Sequence, residues 1–169
     1  VIDYAWLAGN TDGLIALSGG REGELGRALL NDQQDQARVW LADWRRLFPD
    51  RFYLELQDHG IPEQAEVNRS LLKIHQETGI PLVCTNDAHY LRPEDAESHD
   101  VLLCIQTGKT VDDENRMRYE PRNFYLRSTE EMEELFGAYP DAVANTQRIA
   151  DRCRMEFTFG KYHLPEFQL

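Results

Sequence analysis

Three apolar runs along this chain are each followed by a polar or glycine-bearing turn and then by a segment of helical periodicity. The first, Gly13-Leu14-Ile15-Ala16-Leu17-Ser18, follows the turn signal Thr11-Asp12-Gly13 and predicts a strand buried on both faces. Gly19-Gly20 breaks it. Downstream, Ala37, Trp40, Leu41, Trp44, Leu47 and Phe48 fall at i, i+3, i+4, i+7, i+10 and i+11. That is one apolar helix stripe, ended by Pro49-Asp50. Phe52-Tyr53-Leu54-Glu55-Leu56-Gln57 alternates as a second strand, with Phe52, Leu54 and Leu56 on one side and Glu55 on the other, placed to pair with a neighbour. A second helix opens at Pro62, carries Val67, Leu71 and Ile74 inward and stops at Gly79. Ile80-Pro81-Leu82-Val83-Cys84-Thr85 reads as the third strand, and Pro93-Glu94-Asp95 opens a third helix running to about Gln106.

Strand–helix alternation with short loops predicts an α/β fold with a parallel sheet, either doubly wound or a β/α barrel. Both architectures gather their working residues at the carboxyl ends of strands. Here those ends are Ser18-Gly19-Gly20, Gln57-Asp58-His59-Gly60 and Asn86-Asp87-Ala88-His89. From about Gly108 the pattern changes. Lys109 to Asn123 is charged and aperiodic and reads as an exposed connection, followed by a short strand at Phe124–Arg127. Ser128 and Glu131 have capping-box spacing ahead of Met132, Leu135 and Phe136. Pro140-Asp141 begins a last helix with Ala142, Thr146, Ile149 and Cys153 inward, and the aromatic tail from Phe157 to Leu169 is expected to pack on something outside the chain.

Composition narrows the classes. At 169 residues, 41% hydrophobic and 28% charged, the chain suits one globular domain with a real core. No apolar run approaches the roughly 18–20 residues of a membrane span. Val1-Ile2-Asp3-Tyr4 lacks an initiator Met and a basic leader, so a signal peptide is not expected and a fragment of a longer protein is. Cys84, Cys104 and Cys153 are odd in number and lack CxxC spacing, which argues for a reducing, cytoplasmic setting over a disulfide scaffold or zinc knuckle. A net charge of −12 makes the chain by itself a poor binder of phosphate backbones.

Asp87 and His89 are the best candidates for chemistry. Two apart in an extended segment, a carboxylate and an imidazole face one point at the sheet's mouth, an arrangement suited to zinc, manganese or iron. The plainer alternative is that Asp87 caps a turn and His89 hydrogen-bonds a nearby loop. His59 can reach the same face but reads as a loop histidine; His75 reads as a surface residue. His99 is either a surface residue or one that seats the third helix, and His163 has no partner in view. No P-loop, GxGxxG, GxSxG or HExxH occurs, nor a carboxylate pair in a two-metal context. Ser18-Gly19-Gly20 is more simply a tight turn than a phosphate cradle.

Several phrases carry a family resemblance. They are Gly13–Gly19, Tyr53-Leu54-Glu55-Leu56-Gln57-Asp58-His59-Gly60, Thr85-Asn86-Asp87-Ala88-His89-Tyr90, His99–Lys109, and Asn145-Thr146 through Ile149-Ala150 to Cys153. In this order they resemble the polymerase-and-histidinol-phosphatase (PHP) domain of bacterial DNA polymerase III α subunits. The resemblance implies a partial distorted β/α barrel over residues 1–109, with 110–169 a mainly helical connecting segment leading toward the polymerase palm. It implies metal ligation by Asp87 and His89, in a site left incomplete because Gly20 stands where metal-binding members carry Cys or His. The family's remaining ligands are expected upstream of Val1, and the palm carboxylates with their magnesium downstream of Leu169. The implied partners are the rest of the α subunit, proofreading and sliding-clamp subunits, and DNA through the full-length protein.

Two readings of function follow from that resemblance, with a third of another kind. The leading one is a structural portion of a replicative polymerase with a residual metal site. The alternative is a metal-dependent phosphoesterase, a proofreading exonuclease or pyrophosphatase, on the PHP site. A free-standing phosphatase is disfavoured by the long segment after Lys109.

Overall fold

A computed structural model describes residues 3–162 and Leu164. Three strands, β1 (Ala16–Leu17), β2 (Phe52–Leu56) and β3 (Leu82–Cys84), form a small parallel sheet in the order β1-β2-β3. The register pairs Ala16 with Phe52 and Leu54 with Leu82. Central β2 is buried along its whole length. The first strand is shorter than its apolar run. Leu14 is 46% exposed because its N–H closes a turn onto the Thr11 carbonyl and the chain joins the sheet only at Ala16.

The α-helices among the described residues are α1 (Tyr4–Leu7), α2 (Glu24–Leu30), α3 (Gln34–Leu47), α4 (Pro62–Thr78), α5 (Ala96–Thr107), α6 (Thr129–Leu135) and α7 (Pro140–Arg152). The start of α2 lies so close to the end of β1 that a Cβ on Gly23 would sit 1.9 Å from the Ser18 carbonyl oxygen, so only glycine fits. The α3 stripe packs as its spacing predicts. Ala37, Leu47 and Phe48 are buried, and Trp44 stacks on both Phe48 and Phe52. Helix α4 begins at Pro62, buries Val67 and Leu71, and ends at Gly79. Leu25, Leu54, Leu56, Val67 and Leu71 form the best-buried part of the core. Burying each such side chain stabilises by about 1.5–3 kcal/mol before chain entropy is counted.

Two elements depart from the sequence reading. In α7 the inward residues are Ala142 and Asn145, while Thr146 and Cys153 are exposed. The reason is a hydrogen bond: Asn145 Nδ2 donates to the Leu82 carbonyl at 2.7 Å, which turns this helix face toward β3. The strand expected at Phe124–Arg127 is reduced to one parallel bridge between Tyr90 and Tyr125. There the Phe124 carbonyl accepts from both His89 N–H and Tyr90 N–H. Ser128 and Glu131 do form the capping box that opens α6. In the tail, Phe157, Phe159 and Tyr162 are exposed; His163 lies outside the described residues.

Candidate functional site at the strand ends

One buried carboxylate joins all three strand ends. Glu55, on the face of β2 opposite Leu54 and Leu56, is only 8% exposed. Its Oε2 accepts from Gly19 N–H at 2.9 Å, just beyond β1. Its Oε1 accepts from the Thr85 hydroxyl, just beyond β3. Its own N–H donates to Ser18 Oγ at 2.9 Å, and Gln57 Nε2 lies 3.4 Å from Oε1 and 3.3 Å from Thr85 Oγ1. A buried carboxylate is tolerated when donors surround it, and here they come from separate strands. Where the strand pattern predicts a single partner for Glu55, the structure supplies a clasp.

Gly20 sits beside that clasp in the left-handed region, with φ 55°. A Cβ built there would lie 2.4 Å from Gln57 Oε1. The space that a side chain at position 20 needs is thus taken by the Gln57 amide.

Asp87 and His89 do come together, as their spacing predicts. His89 Nε2 is 3.2 Å from Asp87 Oδ1, with the carboxylate side chain half exposed. The His89 ring also packs 4.4 Å from Tyr119 and 5.7 Å from His99. Asp87 lines a cavity of about 290 Å³ with Gln57, Gln64, Arg118 and Tyr119.

His59 lies in the loop between β2 and α4, as its sequence neighbours suggest, but it is fully buried there. Its ring stacks 4.4 Å from Phe124. Gln64 Oε1 accepts the His59 backbone N–H at 2.8 Å, so the Gln64 amide nitrogen, 3.0 Å from Nδ1, is the donor to the ring. The ring proton is thereby assigned to Nε2, which has no partner and in this tautomer no lone pair for a metal. Burial, with help from the Arg127 guanidinium, holds the His59 pKa below its ordinary value and keeps the ring neutral. Burial and the neighbouring His89 do the same for His99, which packs against Tyr90 and Tyr119 and so seats α5. His75 is half-buried rather than a plain surface residue, with Nδ1 2.7 Å from the Ile80 carbonyl at the end of α4.

The connection after α5 folds back over these strand ends. Arg116, its side chain 3% exposed, grips Asp100 of α5 through both terminal nitrogens at 2.5 and 2.7 Å. That contact pulls the Asp100 carboxyl below its usual range. Further along, Asn123 Nδ2 donates to the His59 carbonyl at 3.2 Å, and Arg127 Nη1 donates to the Asp58 carbonyl at 3.1 Å. Nothing in the aperiodic sequence of this segment marks these as anchors.

A multi-metal cluster does not fit this donor set. Among the described residues no group of three or more His, Cys, Asp and Glu side chains gathers to hold an ion. Asp87 and His89 contribute two donors, position 20 contributes none, and His59 presents a proton.

Comparison with known proteins shows what the sequence is similar to. Residues 1–59 match the PHP domain family model, which takes in β1, β2 and the turn to His59. Over 167 residues, 99% of its length, the chain is 40% identical to the DNA polymerase III subunit alpha of Pseudomonas aeruginosa. It is 40% identical over 168 residues to that of Escherichia coli and 41% identical over 169 residues to that of Borreliella burgdorferi. This chain resembles one stretch of the bacterial DNA polymerase III alpha subunit. It spans 14–15% of the length of these curated relatives. The similarity to alpha subunits runs past the PHP match through Asp87, His89 and the connection to α7. No helix among the described residues is long and apolar enough to cross a membrane.

Proposed function

We propose that this chain is the later part of a PHP domain within a replicative DNA polymerase III alpha subunit, and that its role there is structural. Supporting this most directly is similarity at 40% identity over 99% of the chain to alpha subunits. In this reading the three-stranded sheet belongs to a partial, distorted β/α barrel over residues 1–109, and 110–169 lead toward the polymerase palm. Template-directed DNA synthesis, with magnesium, takes place on that palm outside this chain. The partners are the remainder of the alpha subunit, the proofreading and clamp subunits, and DNA through the whole cytoplasmic polymerase.

Asp87 and His89 are the edge of a metal site whose neighbouring corner has been rebuilt. Two donors bind a divalent ion such as zinc, manganese or iron only weakly, because affinity rests on ligand number and preformed geometry. Gln57, bonded to Glu55 and Thr85, and the Glu55 clasp itself hold the strand ends by hydrogen bonds instead. The phosphoesterase alternative needs ions that activate water and steady phosphoryl oxygens. No observation at these strand ends favours it over the structural role. The test is primer extension by the purified longer polypeptide that contains this sequence: template-dependent incorporation is expected, and a folded polypeptide that cannot extend a primer would overturn the reading.

A further inference from the structure

Residues 91–123 leave and rejoin the domain at one place. Tyr90, just before them, pairs with Tyr125, just after, and the Leu126 N–H donates to the Tyr90 carbonyl at 2.9 Å. Among the described elements, α5 packs closely only on the short turn Pro93–Asp95 that opens it. Its buried Leu103 and Cys104 stand apart from the main hydrophobic core, which joins the sheet to α2, α3, α4 and α7. The connection covers this helix instead: Tyr119, Glu120 and Arg122 face Ala96, Asp100 and Leu103 across a small cavity. From Glu114 to Arg122 no backbone N–H of that connection bonds to another backbone group. Side chains hold it, chiefly Arg116 on Asp100, and the buried Arg116 Nε finds no acceptor among the described residues.

We propose that residues 91–123 form a lid over the strand ends, hinged at the Tyr90–Tyr125 bridge and latched by Arg116 on Asp100, that opens as a unit. What the lid covers is polar. Met117, Arg118, Tyr119 and Glu120 wall the cavity of about 290 Å³ that Gln57 and Asp87 also line. Tyr119 lies on the His89 ring, and Asn123 ties the end of the lid to the His59 carbonyl. Lifting a segment from such a surface breaks few core contacts, so it costs less than unfolding the domain. A long aperiodic connection in a compact domain is commonly such a cover. The latch is a buried ion pair with one donor left unsatisfied, which fixes the closed position more than it adds stability. Opening bares Asp87, His89 and the cavity to ions and small solutes, so the latch sets access to the strand ends.

The lid carries its own reporter. Cys104 is buried within it, in electrostatic reach of Arg116, whereas Cys84 is buried in the main core. The experiment treats the longer polypeptide that contains this sequence with N-ethylmaleimide in native buffer and follows each cysteine peptide by mass spectrometry. In the parent, Cys104 should label at least about tenfold faster than Cys84, because the lid opens without the core. Asp100→Asn removes the charge that Arg116 grips. It should speed Cys104 by roughly a further tenfold and leave Cys84 labelling and the melting temperature unchanged. Cys84 labelling as fast as Cys104 in the parent, or both rising together in the variant, would show that this region opens only with the whole domain and would overturn the lid. The parent comparison decides that point even where the variant does not fold. Unchanged Cys104 labelling in a folded variant would overturn the latch.

Discussion

Glu55 offers the sharpest test of how the strand ends are held. Glu55→Ala leaves the Gly19 N–H and the Thr85 hydroxyl without their acceptor in a buried setting. Each orphaned donor costs about 1–3 kcal/mol, and hydrogen bonds to a charged group contribute about 1.5–3 kcal/mol. Relief from burying a carboxylate offsets part of that loss. The net expectation is a destabilisation of about 3 kcal/mol, a fall of roughly 6–12 °C in Tm for a chain of this size. Glu55→Gln keeps one oxygen for Gly19 N–H, and its amide can donate to Thr85 Oγ once that hydroxyl turns. It should therefore cost only about 1 kcal/mol. Urea unfolding of the chain followed by the fluorescence of Trp44, which packs on the core, measures both. If Glu55→Ala falls within ~0.5 kcal/mol of the parent, the clasp is not a source of stability. If Gln is as damaging as Ala, the loss comes from charge and not from the hydrogen bonds.

Other outcomes follow from neighbouring groups. Gly20→Ala should destabilise by about 1–3 kcal/mol through its positive φ and its clash with Gln57, and pairing it with Gln57→Ala should recover the steric part in a double-mutant cycle. Strict additivity of the two would show that the clash is relieved elsewhere. Asn145→Leu, which removes the donor to the Leu82 carbonyl, should cost about 1–3 kcal/mol, read from the same urea curves. His59 and His99 both have pKa values held below the ordinary 6.5, so the unfolded chain binds more protons than the folded one as the medium is acidified. Stability should be flat above that value and fall as pH drops through and below it, and His59→Gln should flatten the decline; a variant curve parallel to the parent's would contradict the assignment. For Asp100, depressed by Arg116, the corresponding loss should appear only below its ordinary 3.8.

Much of the fold was legible because its signals are local. Pro62 and Gly79 bracket α4, Ser128 and Glu131 cap α6, and the Ala37–Phe48 stripe keeps its helical phase throughout. What the sequence hid depends on contacts distant along the chain. The phase of α7 is set by Asn145 reaching β3, 63 residues away, and no periodicity within the helix encodes that. Leu14 is as apolar as its neighbours, yet it lies in a turn before the sheet begins. At the strand ends, the approach of His89 to Asp87 follows from i, i+2 geometry. The clasp was only hinted at, by one charged residue on a strand that is otherwise apolar through Leu56. The loop position of His59 was legible from Asp58 and Gly60, but its burial was not, because it depends on Gln64 of α4 and on Phe124, 65 residues further along the chain. Arg116 and Asp100 are ordinary surface residue types until the connection folds back and joins them.

The most direct measurement on the central claim is primer extension by the longer polypeptide carrying Asp87→Asn together with His89→Ala, beside its parent. If this segment supports the polymerase through its fold, with only a residual metal site, both proteins should extend primers at rates within about twofold, a difference under ~0.5 kcal/mol in barrier. Loss of extension in a variant whose circular dichroism and melting temperature match the parent's would contradict the account.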